Sequence, residues 1–305
     1  MSKQKVLYIA AHSRSGSTIL DRVLSQVEGG FSVGELRNIW LRSFGENQLC
    51  GCSNKFNECD IWKNIVDDSN LDKKYANQIH KLSRDVDRFK KIPQIWFPFL
   101  RDIQFNKKMN EYHAALETIY SSIENVVAPE FIIDSSKNSS YAMHLMNLDN
   151  IDLHVIHLVR DSRAVAFSRL RKKKRPEIHW KDEYMAVTPA YKTALQWNVM
   201  NYSMDIMKSR CSYSLVKYED FMQEPTSTIS NILADAGLHN KDLSFIKGRK
   251  INLAVDHTVS GNPMRFKVGD IELRSDDQWV SRLSKLNNNI VTLLTYFRLK
   301  KYGYL

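Results

Sequence analysis

Glycine, proline and cysteine are all scarce in this 305-residue sequence, with 11, 7 and 4 residues respectively. So little glycine and proline excludes collagen-like repeats, long flexible linkers and low-complexity arrays. Four cysteines are too few for a disulfide-stabilised scaffold of this length. No apolar run reaches the roughly 18 to 20 residues that span a bilayer, and the N-terminus shows no signal-peptide pattern. We therefore expect a soluble, cytoplasmic protein without a membrane anchor.

The charge of the chain is unbalanced, because 44 Lys and Arg residues against 34 Asp and Glu residues give a net charge of +10. This excess predicts an anionic partner, but nucleic acid, a phosphorylated cofactor and an acidic acceptor are all compatible with it. Hydrophobic residues make up 43% of the chain, which is enough for a full core. We expect one compact domain over residues 1–305.

Short apolar runs alternate with helical patterns, which predicts an α/β fold: a P-loop-like open parallel sheet flanked by helices. A helical apolar spacing follows the first run directly. Residues 70–125 contain no comparable run, so a mostly helical insertion is predicted at about 45–125. The predicted strands cover residues 5–11, 131–134, 153–159 and 213–217, and a C-terminal helix is predicted over 290–299.

The turn after the first strand, residues 12–18, reads HSRSGST. A glycine among small hydroxyl residues lets consecutive backbone N–H groups face one anion, and the following helix directs its positive end to the same point. A phosphate or sulfate group would fit there, although Ser and Thr are also ordinary N-cap residues. The kinase loop G-x-x-x-x-G-K-[ST] is absent, because no lysine follows Gly16 and the cation, Arg14, precedes it.

A second candidate anion site follows the strand at 153–159. Arg160 ends this strand, where its guanidinium can fork onto a phosphate, and Ser168 lies on the helix that follows. The alternative is an ion pair between Arg160 and Asp161, with Ser168 in solvent. Two anion sites at two strand ends suggest a nucleotide that carries two phosphate groups.

Together the two segments resemble the sulfotransferases that use 3′-phosphoadenosine 5′-phosphosulfate (PAPS). RSGSTIL at residues 14–20 is similar to that family's 5′-phosphosulfate loop, and Arg160 with Ser168 to its 3′-phosphate segment. Residues 216–220 resemble its V-x-Y-E-D segment, and GNPMR at 261–265 is similar to a late basic loop. The resemblance assigns nucleotide binding to Arg14, Ser15, Gly16, Ser17, Thr18, Arg160, Ser168, Tyr218, Gly261, Asn262 and Arg265.

The resemblance also implies the reaction: transfer of a sulfuryl group from PAPS to a hydroxyl or amine of a small molecule, lipid or saccharide, with adenosine 3′,5′-bisphosphate (PAP) as product and no metal required. Glu35, in SVGELR, resembles the general base of the tyrosylprotein sulfotransferases. A carboxylate fills that role if burial raises its pKa towards neutrality. Lys137 is similar to the lysine that supports the leaving phosphate, and Arg14 would share its role. The resemblance also implies that the helical insertion at about 45–125 lies on the acceptor side.

Other readings of these residues stay open. Glu35 could be a helix-starting residue stabilised by the helix dipole, and His12 or His257 could assist or replace it as the base. Lys137 could be a solvated loop cation, and Asp134 could hold magnesium in an ATP-dependent small-molecule kinase. A basic nucleic-acid-binding protein is a further alternative, but aromatic and basic residues do not interleave as single-strand binders require, so no nucleic acid is expected.

Three cysteines cluster as Cys50, Cys52 and Cys59, while Cys211 stands alone. The spacing C-x-C-x6-C departs from the paired C-x2-C of zinc sites. Ordinary thiols are therefore preferred over a disulfide or a metal, and no metal is assigned.

The basic run at residues 171–175 is predicted to be a solvated face. Lys172 could nonetheless reach the 3′-phosphate, because the resemblance places a basic residue near this point. Aromatic residues that could line an acceptor pocket, or belong to the core, are Trp96, Phe97, Phe99, Trp180 and Tyr184.

Overall fold

A computed structural model describes residues 3–305 and is built around a sheet of five parallel strands. These strands are β1 (Gln4–Ala11), β2 (Gly30–Gly34), β3 (Phe131–Lys137), β4 (Ile151–Val159) and β5 (Ser212–Lys217). They lie in the order β2-β3-β1-β4-β5, with β1 at the centre. The α/β fold class predicted from the sequence is confirmed, because all four predicted strands form and all join one parallel sheet.

The central strand shows why the sequence folds this way. Residues 6–10 of β1 are fully buried, as expected for a strand that is covered by helices on both faces. On one face it packs with Leu20, Val23 and Leu24 of the first helix, which repeat at helical spacing. Burial of these side chains on both sides makes the position of β1, and of the turn after it, rigid.

Twelve α-helices are present in residues 3–305 and flank the sheet or extend from it. They are α1 (Ser17–Leu24), α2 (Asp60–Ser69), α3 (Lys73–Val86), α4 (Ile92–Trp96), α5 (Ile103–Val127), α6 (Ser139–Met146), α7 (Ser162–Leu170), α8 (Ala190–Met207), α9 (Tyr218–Gln223), α10 (Pro225–Asp235), α11 (Gln278–Arg282) and α12 (Lys285–Lys301). The segment Ile39–Gly45 is π-helical. No helix in the described part of the chain is long and apolar enough to cross a membrane.

The region between β2 and β3 is helical, as predicted, and shares its core with the sheet. Ile65 of α2, Ile79 of α3 and Leu116 of α5 are fully or almost fully buried in one hydrophobic cluster with Tyr8 and Val155 of the sheet. The long helix α5 begins where the Asp102 carboxylate accepts the backbone N–H of Phe105 at 2.6 Å. That this region lies on the acceptor side stays a prediction.

The sequence prediction missed two features. Strand β2 is only five residues long and has glycine at both ends, so its apolar pattern is weak. A second, antiparallel sheet consists of β6 (Ile246–Lys247), β7 (Lys250–Leu253) and β8 (Gly269–Glu272), each too short to produce a periodic signal. The connection between β7 and β8, residues 254–268, runs back across the carboxyl end of the parallel sheet.

An irregularity in β3 sets the direction of its last residue. Tyr8 of β1 pairs with Asp134, but Ala10, two residues later, pairs with Lys137, three residues later. The extra residue in β3 is a bulge, a device that re-aims side chains at sheet ends. Lys137 has a backbone φ of +70°, which is uncommon for a residue with a side chain.

Candidate active site

A cavity of about 630 Å³ opens at the carboxyl ends of the parallel strands. Eight Lys or Arg side chains and four Asp or Glu side chains line it, so its surface is strongly positive. The structure brings together most of the predicted site residues there: Arg14, Gly16, Ser17, Thr18, Glu35, Lys137, Arg160, Ser168, Gly261 and Asn262. This end of an open parallel sheet is where ligands of α/β proteins bind.

The turn between β1 and α1 has the conformation of an anion loop. Gly16 has a φ of +91°, and a Cβ atom there would lie 2.5 Å from the ring of Tyr218, so a side chain is excluded on two grounds. Helix α1 begins at Ser17, and its hydrogen bonds start with the amides of Ile19 and Leu20, which donate to the Gly16 carbonyl at 3.1 and 3.2 Å, so the amides of Ser17 and Thr18 have no partner within the helix. They face the cavity that Ser17 and Thr18 line, where they and the helix dipole favour a negative group.

The second predicted anion segment lies directly against this loop. Arg14 donates from Nε to Ser168 Oγ at 3.0 Å, and Arg160 donates from Nη1 to the carbonyl oxygen of Arg14 at 3.2 Å. The guanidinium of Arg160 also stacks on Tyr218, 4.3 Å from the ring centroid. The two sites are therefore within reach of one nucleotide, and the alternative in which Arg160 pairs with Asp161 is wrong, because Asp161 pairs with Arg163 at 2.6 Å.

Ser15, Tyr218 and Arg265 do not line the cavity. Ser15 is buried beneath the loop, and Tyr218 packs against Gly16 and Arg160. Arg265 is only 1% exposed and donates to the backbone carbonyls of Thr258 and Leu49. Its guanidinium thus stabilises the 254–268 connection from outside the cavity. The structure therefore does not bring Arg265 to the predicted nucleotide site.

The 254–268 connection contributes to the cavity through Gly261 and Asn262. The backbone N–H of Asn262 donates to Thr18 Oγ1 at 3.3 Å, and its side-chain oxygen accepts from Lys173 Nζ at 2.7 Å. Burial, reinforced by the charge of Arg14, lowers the pKa of Lys173 to about 8. An anion among these cations would raise that pKa again.

The cavity also offers hydrogen-bond donors that nothing in the protein uses. Among residues 3–305, buried N–H groups of Arg160 (Nε), Arg169 (Nε) and Arg175 (Nη) have no acceptor. All three arginines line the cavity. Unpaired buried donors on cations are costly unless a ligand accepts from them, so the residues fit an oxyanion-rich molecule.

Glu35 and Lys137 form an ion pair in this cavity. Strands β2 and β3 are parallel neighbours, and Gly34 pairs with Asp134, so the residues that end the two strands meet at one edge. Each side chain is 15% exposed, and Glu35 also accepts from Asn38 Nδ2 at 2.9 Å and lies 3.7 Å from Arg42. The alternative of a solvated loop lysine is wrong for Lys137. Glu35 does start a short 3₁₀ helix, Leu36–Asn38, but its carboxylate makes no capping hydrogen bond to the backbone and pairs with Lys137 instead.

The pKa of Glu35 differs from the sequence-based expectation. Burial alone would raise it, but the positive charges of Lys137 and Arg42 outweigh burial, and the pKa is lowered. The expectation of a carboxyl shifted towards neutrality is therefore wrong for the protein without ligands. The Glu35 carboxyl is therefore ionised at neutral pH.

The alternative catalytic residues lie elsewhere. Asp134 is fully buried, and its carboxylate accepts the Tyr120 hydroxyl at 2.6 Å and the Ser136 amide at 2.7 Å, so it does not line the cavity. Burial and the charge of Arg169 lower the pKa of His12 to about 4. His12 does not line the cavity either, and His257 lies 3.2 Å from the sulfur of Cys59.

The basic run at 171–175 is not simply a solvated face. The segment is extended, so alternate side chains point the same way, and Arg171, Lys173 and Arg175 line the cavity. It pairs with residues 183–185, since the Met185 amide donates to the Lys173 carbonyl at 2.8 Å. Lys172, the predicted phosphate ligand of this run, is exposed and is not part of the lining. Because all five residues of the run are basic, the sequence shows no alternation that would indicate which side chains face the cavity.

Of the five aromatic residues considered for an acceptor pocket, Tyr184 lines the cavity. Phe97 and Phe99 stack on each other away from it, with Phe99 80% exposed, and Trp96 stacks under Arg210. Trp180 is exposed and contacts His179.

The model of the sulfotransferase family matches residues 7–242, which is most of the chain. The protein belongs to the sulfotransferase family. No curated protein matches the sequence significantly. Among solved structures, the sulfotransferase domain from the curacin biosynthetic pathway aligns with 97% of this chain and 99% of its own, at 16% identity and a TM-score of 0.49. Retinol dehydratase in complex with androsterone and inactive cofactor PAP aligns with 98% of this chain and 82% of its own, at 12% identity and a TM-score of 0.33.

The matched region of this sulfotransferase contains both anion segments and the Glu35–Lys137 pair. Gly261 and Asn262 lie beyond it, in the 254–268 connection. The prediction that the protein is a sulfotransferase is confirmed, and the roles of the individual residues stay predictions.

Proposed function

We propose that this sulfotransferase moves a sulfuryl group from PAPS to a hydroxyl or amine of a small-molecule, lipid or saccharide acceptor and releases PAP. The observation that carries the proposal is the position of the Glu35–Lys137 pair in the same cavity as residues 14–18, Arg160 and Ser168. A proton acceptor, a cation for the leaving group and two anion sites share one pocket. Its volume is within the range of small-ligand sites.

The nucleotide would be held from two sides. The loop at 14–18 would face one anion with backbone amides and Arg14, and Arg160 with Ser168 would face the other. The two sites are adjacent, since Arg14 Nε donates to Ser168 Oγ at 3.0 Å and Arg160 Nη1 donates to the Arg14 carbonyl at 3.2 Å. Gly261 and Asn262 would close over the nucleotide, with Lys173 beside them. PAPS, when bound, supplies an electrophilic sulfuryl group and a bisphosphate leaving group.

Glu35 would accept the proton of the attacking acceptor group, and Lys137 would stabilise the negative charge that develops on the leaving phosphate. The ion pair couples the two events. While Lys137 neutralises Glu35, the carboxylate stays ionised; once Lys137 shares its charge with the leaving group, its hold on Glu35 weakens and the pKa of Glu35 rises. The base thus becomes stronger as the S–O bond breaks, which is when proton transfer is needed. Arg14 would support the same leaving group.

The test measures PAP release from PAPS with a panel of alcohol, phenol, saccharide and amine acceptors, for wild type, Glu35→Gln and Lys137→Ala. Loss of a general base lowers turnover by about 10²- to 10⁴-fold, and a similar loss is expected for Lys137→Ala. Glu35→Gln should still bind PAP in calorimetry without added magnesium. Wild-type turnover in both variants would contradict the assigned roles.

The chain offers a matched control at the opposite end of β3. Glu130 directly precedes this strand and pairs with Lys241, so Glu130→Gln and Lys241→Ala remove the same chemical groups from an ion pair outside the cavity. Both control variants should keep wild-type turnover. A comparable loss in the controls would mean that the assay reports stability rather than chemistry.

The kinase alternative has less support. Its magnesium carboxylate, Asp134, is buried against Tyr120. Competition distinguishes the two activities: PAP should displace a fluorescent nucleotide from the cavity at much lower concentration than ATP with magnesium. The reverse order would favour the kinase.

A further inference from the structure

The three clustered cysteines meet a fourth potential metal ligand that is distant in the sequence. The sulfurs of Cys50, Cys52 and Cys59 and a ring nitrogen of His257 all lie within 4.8 Å of one another. Cys59 Sγ and His257 Nδ1 are 3.2 Å apart. All three cysteines are free thiols. We propose that Cys50, Cys52, Cys59 and His257 bind one structural zinc ion.

The donor set and its spacing suit zinc. Zinc binds thiolate sulfur at about 2.3 Å and histidine nitrogen at about 2.0 Å in a tetrahedron, which places the ligand atoms about 3.5 to 3.8 Å from each other. The ligand atoms are all within 4.8 Å of one another and the Cys59–His257 pair is at 3.2 Å, so adjustments of at most about 1 Å bring the separations to these values. Thiolates select zinc over the hard cations magnesium and calcium. Four protein ligands leave no open position, which is typical of a structural rather than a catalytic site.

The backbone of residues 49–55 is folded tightly enough to present two of the ligands together. Leu49 and Lys55 form an antiparallel bridge, and the turn between them is closed by bonds from Cys50 N to Asn54 O and from Ser53 N to Cys50 O, both 2.8 Å. Ser53 takes a positive φ of +70°. Cys50 and Cys52 are thus held on one turn, and Cys59 follows at the start of α2.

The segment that carries His257 is held against this turn independently of any metal. Gly51 N donates to Thr258 O at 2.9 Å, and a Cβ atom at Gly51 would lie 2.0 Å from a carboxylate oxygen of Asp256, so glycine permits the approach. Trp62 of α2 donates its indole N–H to the carbonyl of His257. Hydrogen bonds of the backbone and of Trp62, which need no metal, therefore bring the four ligands together.

The charge of the surroundings also fits. A zinc ion with three thiolates and a neutral imidazole carries one net negative charge, which burial makes costly unless a cation compensates it. Arg265 is buried and donates to the carbonyls of Leu49 and Thr258, the residues next to Cys50 and His257. This arginine, which sequence reasoning assigned to a phosphate, supplies the compensating charge.

The position of the site indicates what the zinc would do. It would join the start of the helical region at 50–59 to the 254–268 connection, whose Ser260 carbonyl accepts the Glu35 amide at 3.1 Å and whose Asn262 amide donates to Thr18. Zinc would thereby hold one wall of the active-site cavity in place without contacting the reacting groups.

Metal content tests the proposal directly. Untagged full-length protein, produced with zinc in the medium and purified under reducing conditions without chelators, should contain about one zinc ion per chain by mass spectrometry of the metals. Cys59→Ala should contain less than about a tenth of that amount, because three remaining ligands bind zinc much more weakly. Cys211→Ser, which alters a cysteine far from the site in sequence and in contacts, should contain as much zinc as wild type.

Two further measurements keep the proposal falsifiable if Cys59→Ala folds poorly. His257→Cys replaces one zinc ligand by another and should retain zinc, whereas His257→Ala removes the ligand and should lose most of the zinc. Replacement of zinc by cobalt should give wild type the absorption of a tetrahedral thiolate site, and this absorption should be missing in His257→Ala.

The proposal is overturned if the reduced wild type contains no zinc and takes up neither zinc nor cobalt. It is also overturned if mass spectrometry finds a disulfide among Cys50, Cys52 and Cys59 in protein purified under these conditions, if another metal occupies the site at full stoichiometry, or if Cys59→Ala and His257→Ala retain wild-type zinc content.

Discussion

Replacement of Lys137 by methionine isolates the electrostatics of the active-site ion pair. Methionine keeps most of the apolar stem of lysine and meets the same positive backbone φ, so the change removes little except the charge. Glu35 is then left as a carboxylate that is 15% exposed, with Arg42 at 3.7 Å as its nearest cation and a smaller contribution from Arg265. We expect burial to dominate in this variant and to raise the pKa of Glu35 above its unfolded value.

The magnitude follows from the burial of the pair. Removing one partner of a buried ion pair costs about 3 to 5 kcal/mol. Residual exposure and Arg42 reduce that cost here, so we expect about 2 to 3 kcal/mol at neutral pH, which corresponds to a melting temperature about 3 to 5 °C lower in a chain of this length. Glu35→Gln/Lys137→Met should recover most of the loss, because it leaves no uncompensated charge.

The pH dependence has a definite sign. In wild type the pKa of Glu35 is lowered, so its stabilising contribution is present above the unfolded pKa of about 4.3 and is lost as the pH falls through the lower folded value. In Lys137→Met the raised pKa reverses the effect, and the ionised carboxylate destabilises the fold increasingly as the pH rises above about 4.3. The stability difference between wild type and variant should therefore be larger at neutral pH than near the unfolded pKa.

The test measures thermal and urea unfolding at neutral and mildly acidic pH. It compares wild type, Glu35→Gln, Lys137→Met and the double variant, which together form a double-mutant cycle. The reasoning is refuted if the penalty of Lys137→Met is the same at both pH values. It is equally refuted if the double variant is as unstable as Lys137→Met at neutral pH.

Two further predictions concern the nucleotide site and use calorimetric titration with PAP. Gly16→Ala should weaken binding by at least about tenfold, because the methyl group must move the Tyr218 ring and the loop with it, in addition to about 1 to 2 kcal/mol of backbone strain. Gly237→Ala introduces the same strain at a φ of +76°, meets no atom within 4 Å and lies outside the cavity, so it should bind PAP as wild type does. Equally weakened binding in both variants would mean that the loss reflects general destabilisation and not the nucleotide loop. Arg160→Lys should weaken PAP binding by about 10- to 100-fold, since lysine can neither fork onto a phosphate nor stack on Tyr218 in the same way. Arg163→Lys, outside the cavity, should bind PAP as wild type does, and equal affinities in the two lysine variants would remove Arg160 from the site.

Local patterns in the sequence were sufficient for much of the fold and for half of the site. The apolar runs predicted β1, β3, β4 and β5, and the Ser-Gly turn predicted an anion loop, because the conformation of such segments depends mainly on their own residues and burial. The prediction failed where a segment was short or where its partner decided its role. Strand β2 has only five residues, and residues 171–175 point alternately into the cavity because they pair with 183–185.

The sequence by itself determined which chemical groups follow each strand, and thus a nucleotide-sized, positively charged site at the carboxyl end of a parallel sheet. Only the tertiary structure decided which of those groups meet. Glu35 and Lys137 are 102 residues apart and become partners because β2 and β3 are neighbours in register. In the same way His257 reaches the cysteines and Arg265 turns away from the cavity, since strand order and packing between distant segments, which no local pattern encodes, set these contacts.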